Sequence, residues 1–122
     1  MKLLLVDDDA MAAEMTAAIL EDAGHTLVIA KDAADALEQF DANPDLDMVI
    51  SDMNMPLISG IDLFRQLREQ GQNLPFVLLT GDAAGPLLAQ EPCLDACLVK
   101  DFSLLETLAP AIEAVMQTRR GL

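Results

Sequence analysis

Four short apolar runs in this chain each stop at a polar residue. Leu3-Leu4-Leu5-Val6 runs into Asp7, Asp8 and Asp9, and Met48-Val49-Ile50-Ser51 runs into Asp52. Phe76-Val77-Leu78-Leu79 runs into Thr80, and Cys97-Leu98-Val99 runs into Lys100. Runs that are apolar throughout are what parallel strands covered on both faces require. If the runs are neighbours in one parallel sheet, their carboxyl ends lie side by side. The carboxylates of Asp7, Asp8 and Asp52, the Thr80 hydroxyl and the Lys100 ammonium then share the crevice where open α/β sheets bind ligands.

The segments between the runs read as helices. Asp9 is placed to cap a helix over 10–22, with Met11, Met15, Ala18 and Ile19 at helical spacing and Gly24 as its stop. Residues 26–30 read as a further strand. Asp32 is placed to cap a helix over 33–41 that turns Ala33, Ala36, Leu37 and Phe40 inward. After the strand over 47–51, Pro56 and Gly60 mark a loop, and a helix over 61–70 turns Ile61, Phe64 and Leu67 inward. The fourth strand covers 75–80. Gly85, Pro86 and Pro92 then leave room only for a short or irregular helix near 86–91. A fifth strand over 96–99 precedes a helix over 103–118, with Ser103 as its cap and Leu104, Leu105, Leu108, Ile112, Val115 and Met116 facing in. Pro110 predicts a kink or a break in that helix. Five strands alternating with five helices imply a single α/β domain over 1–122, a five-stranded parallel sheet with helices on both faces. The expected strand order is 2-1-3-4-5, that of flavodoxin-like folds, and it sets strands 1 and 3 on either side of the switch point.

Composition narrows the function. Lys plus Arg number 7 against 21 Asp plus Glu, a formal charge of −14. Such a chain repels phosphate backbones, which argues against direct nucleic-acid binding. No run approaches the roughly 20 apolar residues of a membrane span. The amino-terminal apolar run is too short for a secretory signal, so a cytoplasmic location is expected. Cys93 and Cys97 fit reduced thiols, and with His25 distant in sequence they make no zinc pattern.

Three close carboxylates raise one another's pKa unless a cation sits among them. Magnesium prefers oxygen ligands, takes few carboxylates and pairs readily with phosphates, which suits Asp7, Asp8 and Asp52. A carboxylate there can also act as a nucleophile and form an aspartyl phosphate. A hydroxyl and an ammonium serve phosphoryl transfer because charge collects on the transferring oxygens. Asp9 is assigned to helix capping alone.

The residues Val6-Asp7-Asp8-Asp9, Asp52-Met53-Asn54-Met55-Pro56 with Gly60, Thr80-Gly81 and Leu98-Val99-Lys100, in this order, resemble the receiver domain of bacterial two-component response regulators. The likeness covers nearly all of the chain. It implies a magnesium-dependent signalling switch, a phosphoprotein rather than an enzyme with turnover. Asp52 would accept a phosphoryl group from a sensor histidine kinase or phosphotransfer protein. Asp8 would bind magnesium directly, Asp7 largely through water, and the Asn54 backbone carbonyl would add a ligand. Thr80 would bond the phosphoryl oxygens and Lys100 would pair with the phosphorylated carboxylate. The output would pass to a downstream effector protein or domain through helix 4, strand 5 and helix 5, a face that also serves phosphorylation-dependent homodimers.

Three features depart from the family pattern, all on that output face. Cys97 stands where an aromatic ring is usual, with Phe102 nearby. Asp101 follows Lys100 where proline is common, so the preceding peptide is expected to be trans or strained. The segment between Thr80 and Lys100 carries three helix breakers. Two alternatives remain open at this point: an interaction module that signals without phosphorylation, and a haloacid-dehalogenase-type phosphatase using Asp7, Asp9, Thr80 and Lys100. The resemblance also ties the lifetime of the phospho-form to the residues two after the acceptor and two after the switch threonine, Asn54 and Asp82. Both are small polar groups that admit an attacking water, which predicts rapid self-dephosphorylation. Phosphoprotein followed by intact mass at neutral pH with magnesium should decay well within an hour, and persistence for many hours would contradict this.

Overall fold

A computed structural model describes residues 1–81, 84–91, 93–101 and 103–120. Strand β1 (Lys2–Val6) leads to helix α1 (Ala10–Asp22), β2 (Thr26–Ala30) to α2 (Ala33–Ala42), and β3 (Met48–Asp52) to α3 (Gly60–Glu69). Then β4 (Phe76–Thr80) leads to α4 (Ala84–Gln90), and β5 (Ala96–Val99) to α5 (Leu104–Arg120). All strand pairs are parallel and the order is β2-β1-β3-β4-β5. This is the architecture and the order expected from the sequence.

Alternation along the strands divides the core in two. Leu4 and Val6 of β1 face the side that Ala33 and Ala36 of α2 and Ile61, Phe64 and Leu67 of α3 cover. Leu3 and Leu5 face the side covered by Ala13, Ala17 and Leu20 of α1 and by Leu104, Leu108, Ile112 and Val115 of α5. A strand that must be apolar on both faces cannot show polar alternation, which is why β1, β3 and β4 read as continuous runs.

Helix α1 presents a different face from the one expected. Ala13, Thr16, Ala17 and Leu20 are buried, whereas Ala18 is exposed and Met11 and Met15 are 76% and 66% exposed. Both sets have helical spacing, and the smaller side chains win because they let the helix lie close on the sheet. In α5, Leu105 is likewise exposed. That helix continues through Pro110 without a break. Proline there costs the Glu106 carbonyl its helical partner, but both residues are exposed and water can take its place. Ser103 precedes α5, and its carbonyl accepts from Glu106 and Thr107. Ser103 thus occupies the cap position expected of it, and its hydroxyl and N–H donate to the Asp101 carboxylate. Helix α4 has only seven residues and starts earlier than expected, with Pro86 in the first turn, where a missing N–H has no helical partner to lose. Pro92, Phe102 and Asp82 lie outside the described residues.

The orientation of α1 is open to a simple check. Leu20→Ala should cost about 2–5 kcal/mol of stability, while Met15→Ala should stay within about 0.5 kcal/mol. Urea unfolding of the two variants gives both numbers, and equal losses would contradict the face described.

Candidate functional site

Register delivers the polar residues to one edge. Val6 of β1 stands beside Ser51 of β3, Asp52 beside Leu79 of β4, and Thr80 beside Val99 of β5. The next residues along β1 and β5 are Asp7 and Lys100, so both emerge at the same edge as Asp52 and Thr80. The backbone holds each exit. The Asp7 N–H donates to the Ala30 carbonyl at 3.0 Å, Met53 N–H to Leu79 at 2.7 Å, and Lys100 N–H to Thr80 at 2.7 Å. Asp7, Asp52 and Thr80 are buried, while Asp8 is exposed.

The loop after β3 is closed by Gly60. Its N–H donates to the Met53 carbonyl at 3.0 Å. A Cβ at this position would lie 2.5 Å from the Asp52 carbonyl oxygen and 2.6 Å from Leu78 Cδ1, so only glycine lets α3 start against the backbone of Asp52. Ser59 and Asp62 then form a capping box that fixes the first turn of α3. Leu57, in the same loop, is the one non-glycine among the described residues with positive φ, at 72°, and its side chain is fully exposed.

The carboxylates of Asp7, Asp8 and Asp52 each offer an oxygen within 4.8 Å of the other two. Lys100 Nζ lies 2.6 Å from Asp7 Oδ2 and 3.5 Å from Asp52 Oδ2. The other oxygen of Asp7 accepts the Asp9 N–H at 2.9 Å. Asp9 itself is spent on the helix: its Oδ1 accepts from Met11 N–H at 3.0 Å and Ala12 N–H at 3.2 Å. The capping role expected of Asp9 is thus observed, and that carboxylate is drawn away from the cluster. The short-range pair of Asp7 and Lys100 joins residues 93 positions apart, and no local pattern in the sequence announces it.

Burial pushes the Asp52 carboxyl above its ordinary pKa. The Lys100 charge opposes that shift, the Asp7 charge adds to it, and the Asn54 backbone N–H opposes it by donating to the carboxylate. Burial alone would lower the Lys100 ammonium, but its hydrogen bond to Asp7 and the charges of Asp7 and Asp52 leave it raised. Two negative groups therefore face one cation in a partly dry cleft, with the exposed Asp8 at its mouth. Hard, crowded oxygen donors with more negative charge than one ammonium balances fit a small divalent cation. At the β5 exit no cis peptide occurs among the described residues, so the bond between Lys100 and Asp101 is trans. Cys97 is buried on the α2/α3 side of the sheet, and burial raises its thiol pKa.

A family model described as the response regulator receiver domain matches residues 3–112. The sensor histidine kinase RcsC of Salmonella typhimurium is 37% identical over 98% of this chain, which spans 13% of that protein. The response regulator MprA of a Mycobacterium species is 36% identical over 88% of the chain, which spans 47% of it. Among solved structures, a response regulator receiver domain protein from Clostridium thermocellum superposes with a TM-score of 0.84 at 27% identity, covering 98% of this chain and 96% of that one. The response regulator TrrA from Thermotoga maritima, solved in complex with Mg2+ and BeF, gives 0.82 at 26% identity, covering 93% and 97%.

The raised pKa of Asp52 has a stability consequence. A carboxyl whose pKa is higher folded than unfolded contributes stability that is fully present below the unfolded value and is lost as pH rises through the folded one. Asp52→Asn removes that loss. The variant should melt a few degrees above the wild type at neutral pH without metal, with the gap closing as the pH falls below the ordinary carboxylate range. A variant that melts lower at neutral pH would contradict the assignment. Gly60→Ala should cost about 1–3 kcal/mol through overpacking against Asp52 and Leu78, measurable in the same melts.

Proposed function

The chain belongs to the response regulator receiver domain family, and on that footing we propose that it is a phosphorylation-dependent signalling switch whose acceptor is Asp52. The observation that carries the reading is the meeting of buried Asp52 with Asp7, Asp8 and Lys100 at one sheet edge. Asp52 is the carboxylate that suits covalent chemistry. It ends a central strand, and Gly60 and the Asn54 N–H fix its backbone and side chain. One of its oxygens attacks the phosphorus of a phosphohistidine on a sensor kinase or phosphotransfer protein. The new bond is O–P, the N–P bond breaks, and the departing imidazole nitrogen keeps the electron pair.

Asp7, Asp8, Asp52 and the Asn54 carbonyl would hold magnesium, which when bound supplies positive charge to the transferring phosphoryl oxygens. Lys100 supplies the protein's own cation beside Asp52, and Thr80 a hydroxyl at the end of the neighbouring strand. Once formed, the acyl phosphate adds charge and strong acceptors to the edge, and a two-state rearrangement of the α4, β5 and α5 region carries the signal to an effector. The family's aromatic reporter is replaced by Cys97, a small buried thiol, so the motion of Thr80 has no ring at that position to turn. The formal charge of −14 favours a protein effector over nucleic acid. No helix among the described residues is long and apolar enough to cross a membrane, and a cytoplasmic setting fits a reduced Cys97. This role has no turnover of a separate substrate. Sustained hydrolysis of a chromogenic phosphate ester that survives Asp52→Asn would instead favour a phosphatase.

Incubation with acetyl phosphate and magnesium, followed by intact-mass measurement, should add one phosphoryl group to the wild type and none to Asp52→Asn. No gain, where a control receiver is labelled, overturns the reading in favour of an interaction module. Magnesium at 100 times its dissociation constant should stabilise the wild type by about 2.7 kcal/mol. Asp8→Ala should lose most of that increment, as read from melts with and without the ion.

A further inference from the structure

At the edge of the sheet opposite the candidate site, one carboxylate joins the ends of several elements. Asp95 stands just before β5, and its side chain is only 15% exposed. Its Oδ2 accepts the N–H of Phe76, the first residue of β4, at 2.8 Å, so backbone holds the group in place. Arg119, in the last turn of α5, donates through Nε to Oδ1 at 2.9 Å and through Nη2 to Oδ2 at 3.1 Å. Its Nη1 donates to the Asn73 carbonyl at 2.9 Å. Beyond Val115, Met116 adds only partial burial to α5, so Arg119 is the chief tether of that turn. A second guanidinium stands beside the first. Arg68, near the end of α3, has Nη2 3.8 Å from Asp95 Oδ2, beyond hydrogen-bond range. It is kept there by a bond from Nη1 to the Gln72 carbonyl at 3.0 Å and by the Phe64 ring, whose centre lies 4.6 Å from the guanidinium carbon. Burial lowers the Arg68 guanidinium from its ordinary pKa, the Asp95 charge opposes that shift, and the Arg119 charge adds to it.

We propose that Asp95 is a shared clasp: Arg119 holds it while the end of α5 is docked, and Arg68 takes it when that end lifts away. A shift of about 1 Å brings Arg68 Nη2 into bonding range. Without a substitute, lifting α5 would strand a largely buried carboxylate without a cation, a costly state. With one, the charge stays paired and two like cations no longer crowd one acceptor. The handover makes the last turn of α5 separable from the sheet at reduced cost, while α3, β4 and β5 stay joined through Asp95. Helix α5 lies in the region proposed to carry the signal, so Arg68 sets how readily its far end rearranges. The handover requires neither the metal nor the acceptor assignment.

Native-state hydrogen exchange at the amides of residues 116–119 reads the opening of that turn. Arg119→Met should speed it about tenfold, and no acceleration would overturn the clasp. Arg68→Met should act with the opposite sign, slowing exchange about fivefold, because opening then leaves Asp95 unpaired. In the Asp95→Asn background, where the side-chain oxygen can still accept from Phe76, the same substitution should change exchange less than about twofold. Faster or unchanged exchange in Arg68→Met alone would make Arg68 a static brace and overturn the handover. Equal slowing in both backgrounds would reduce its effect to repulsion between guanidinium groups, and would overturn the handover too. Amides of β4 verify that each variant is folded, and Arg68→Gln carries the comparison if Arg68→Met fails to fold.

Discussion

In a parallel sheet, a slip of one residue turns every side chain of a strand to the opposite face. The site in this protein therefore depends on the register of β1, β3, β4 and β5. Val6 beside Ser51, Asp52 beside Leu79 and Thr80 beside Val99 bring four strand ends to one edge. Apolar packing enforces that register from both sides. Leu4 and Val6 are locked against α2 and α3, Leu3 and Leu5 against α1 and α5, and a slip would turn each set into the core packed around the other. The crevice is thus a by-product of the core: once the apolar runs are in place, the polar residues that end them have nowhere else to go.

The electrostatics follow from that forced meeting. Two buried carboxylates at one edge are unfavourable, and the protein meets the difficulty with Lys100, held at 2.6 Å from one and 3.5 Å from the other. One ammonium does not neutralise Asp7, Asp8 and Asp52 together, and burial, with the Asp7 charge adding to it, leaves the Asp52 carboxyl raised despite Lys100. Nothing in folding calls for such a deficit of positive charge. It fits the proposed role, in which the site takes up a cation and a group to be stabilised by it.

Much of this was legible in the sequence because the signals are local. Unbroken apolar runs fixed the strands, Asp9 and Asp32 announced helix starts that they do cap, and the residues after each run named the cluster. The failures have physical reasons. In α1, Met11 and Met15 carry more apolar surface than Ala13 and Ala17, so hydrophobicity pointed to the wrong face, while close helix-to-sheet packing selects small residues. Ser103 stands at the helix start expected of it, but the bond from its side chain to the Asp101 carboxylate has no signal in the sequence. Pro110 was read as a breaker, and an exposed position made it tolerable. The pairing of Lys100 with Asp7 and the contact of Gly60 with the Asp52 backbone were invisible, because both depend on distances that only the folded sheet creates.

The region proposed for output keeps less of the family pattern than the region proposed to accept the phosphoryl group. Helix α4 is short, Glu91 just after it pairs with Arg65 of α3 at 2.9 Å, and Cys97 gives the neighbouring β5 a small side chain in place of a ring. The central claim concerns the acceptor side, and it can be tested at single-residue level. Borohydride reduces an aspartyl phosphate to homoserine, so reduction of the phosphorylated protein followed by peptide sequencing reads the acceptor directly. Homoserine at position 52, with Asp7 and Asp8 intact, is the predicted result. Homoserine at position 7 or 8, or an unchanged aspartate at 52 in a protein that has gained phosphate, would contradict the account.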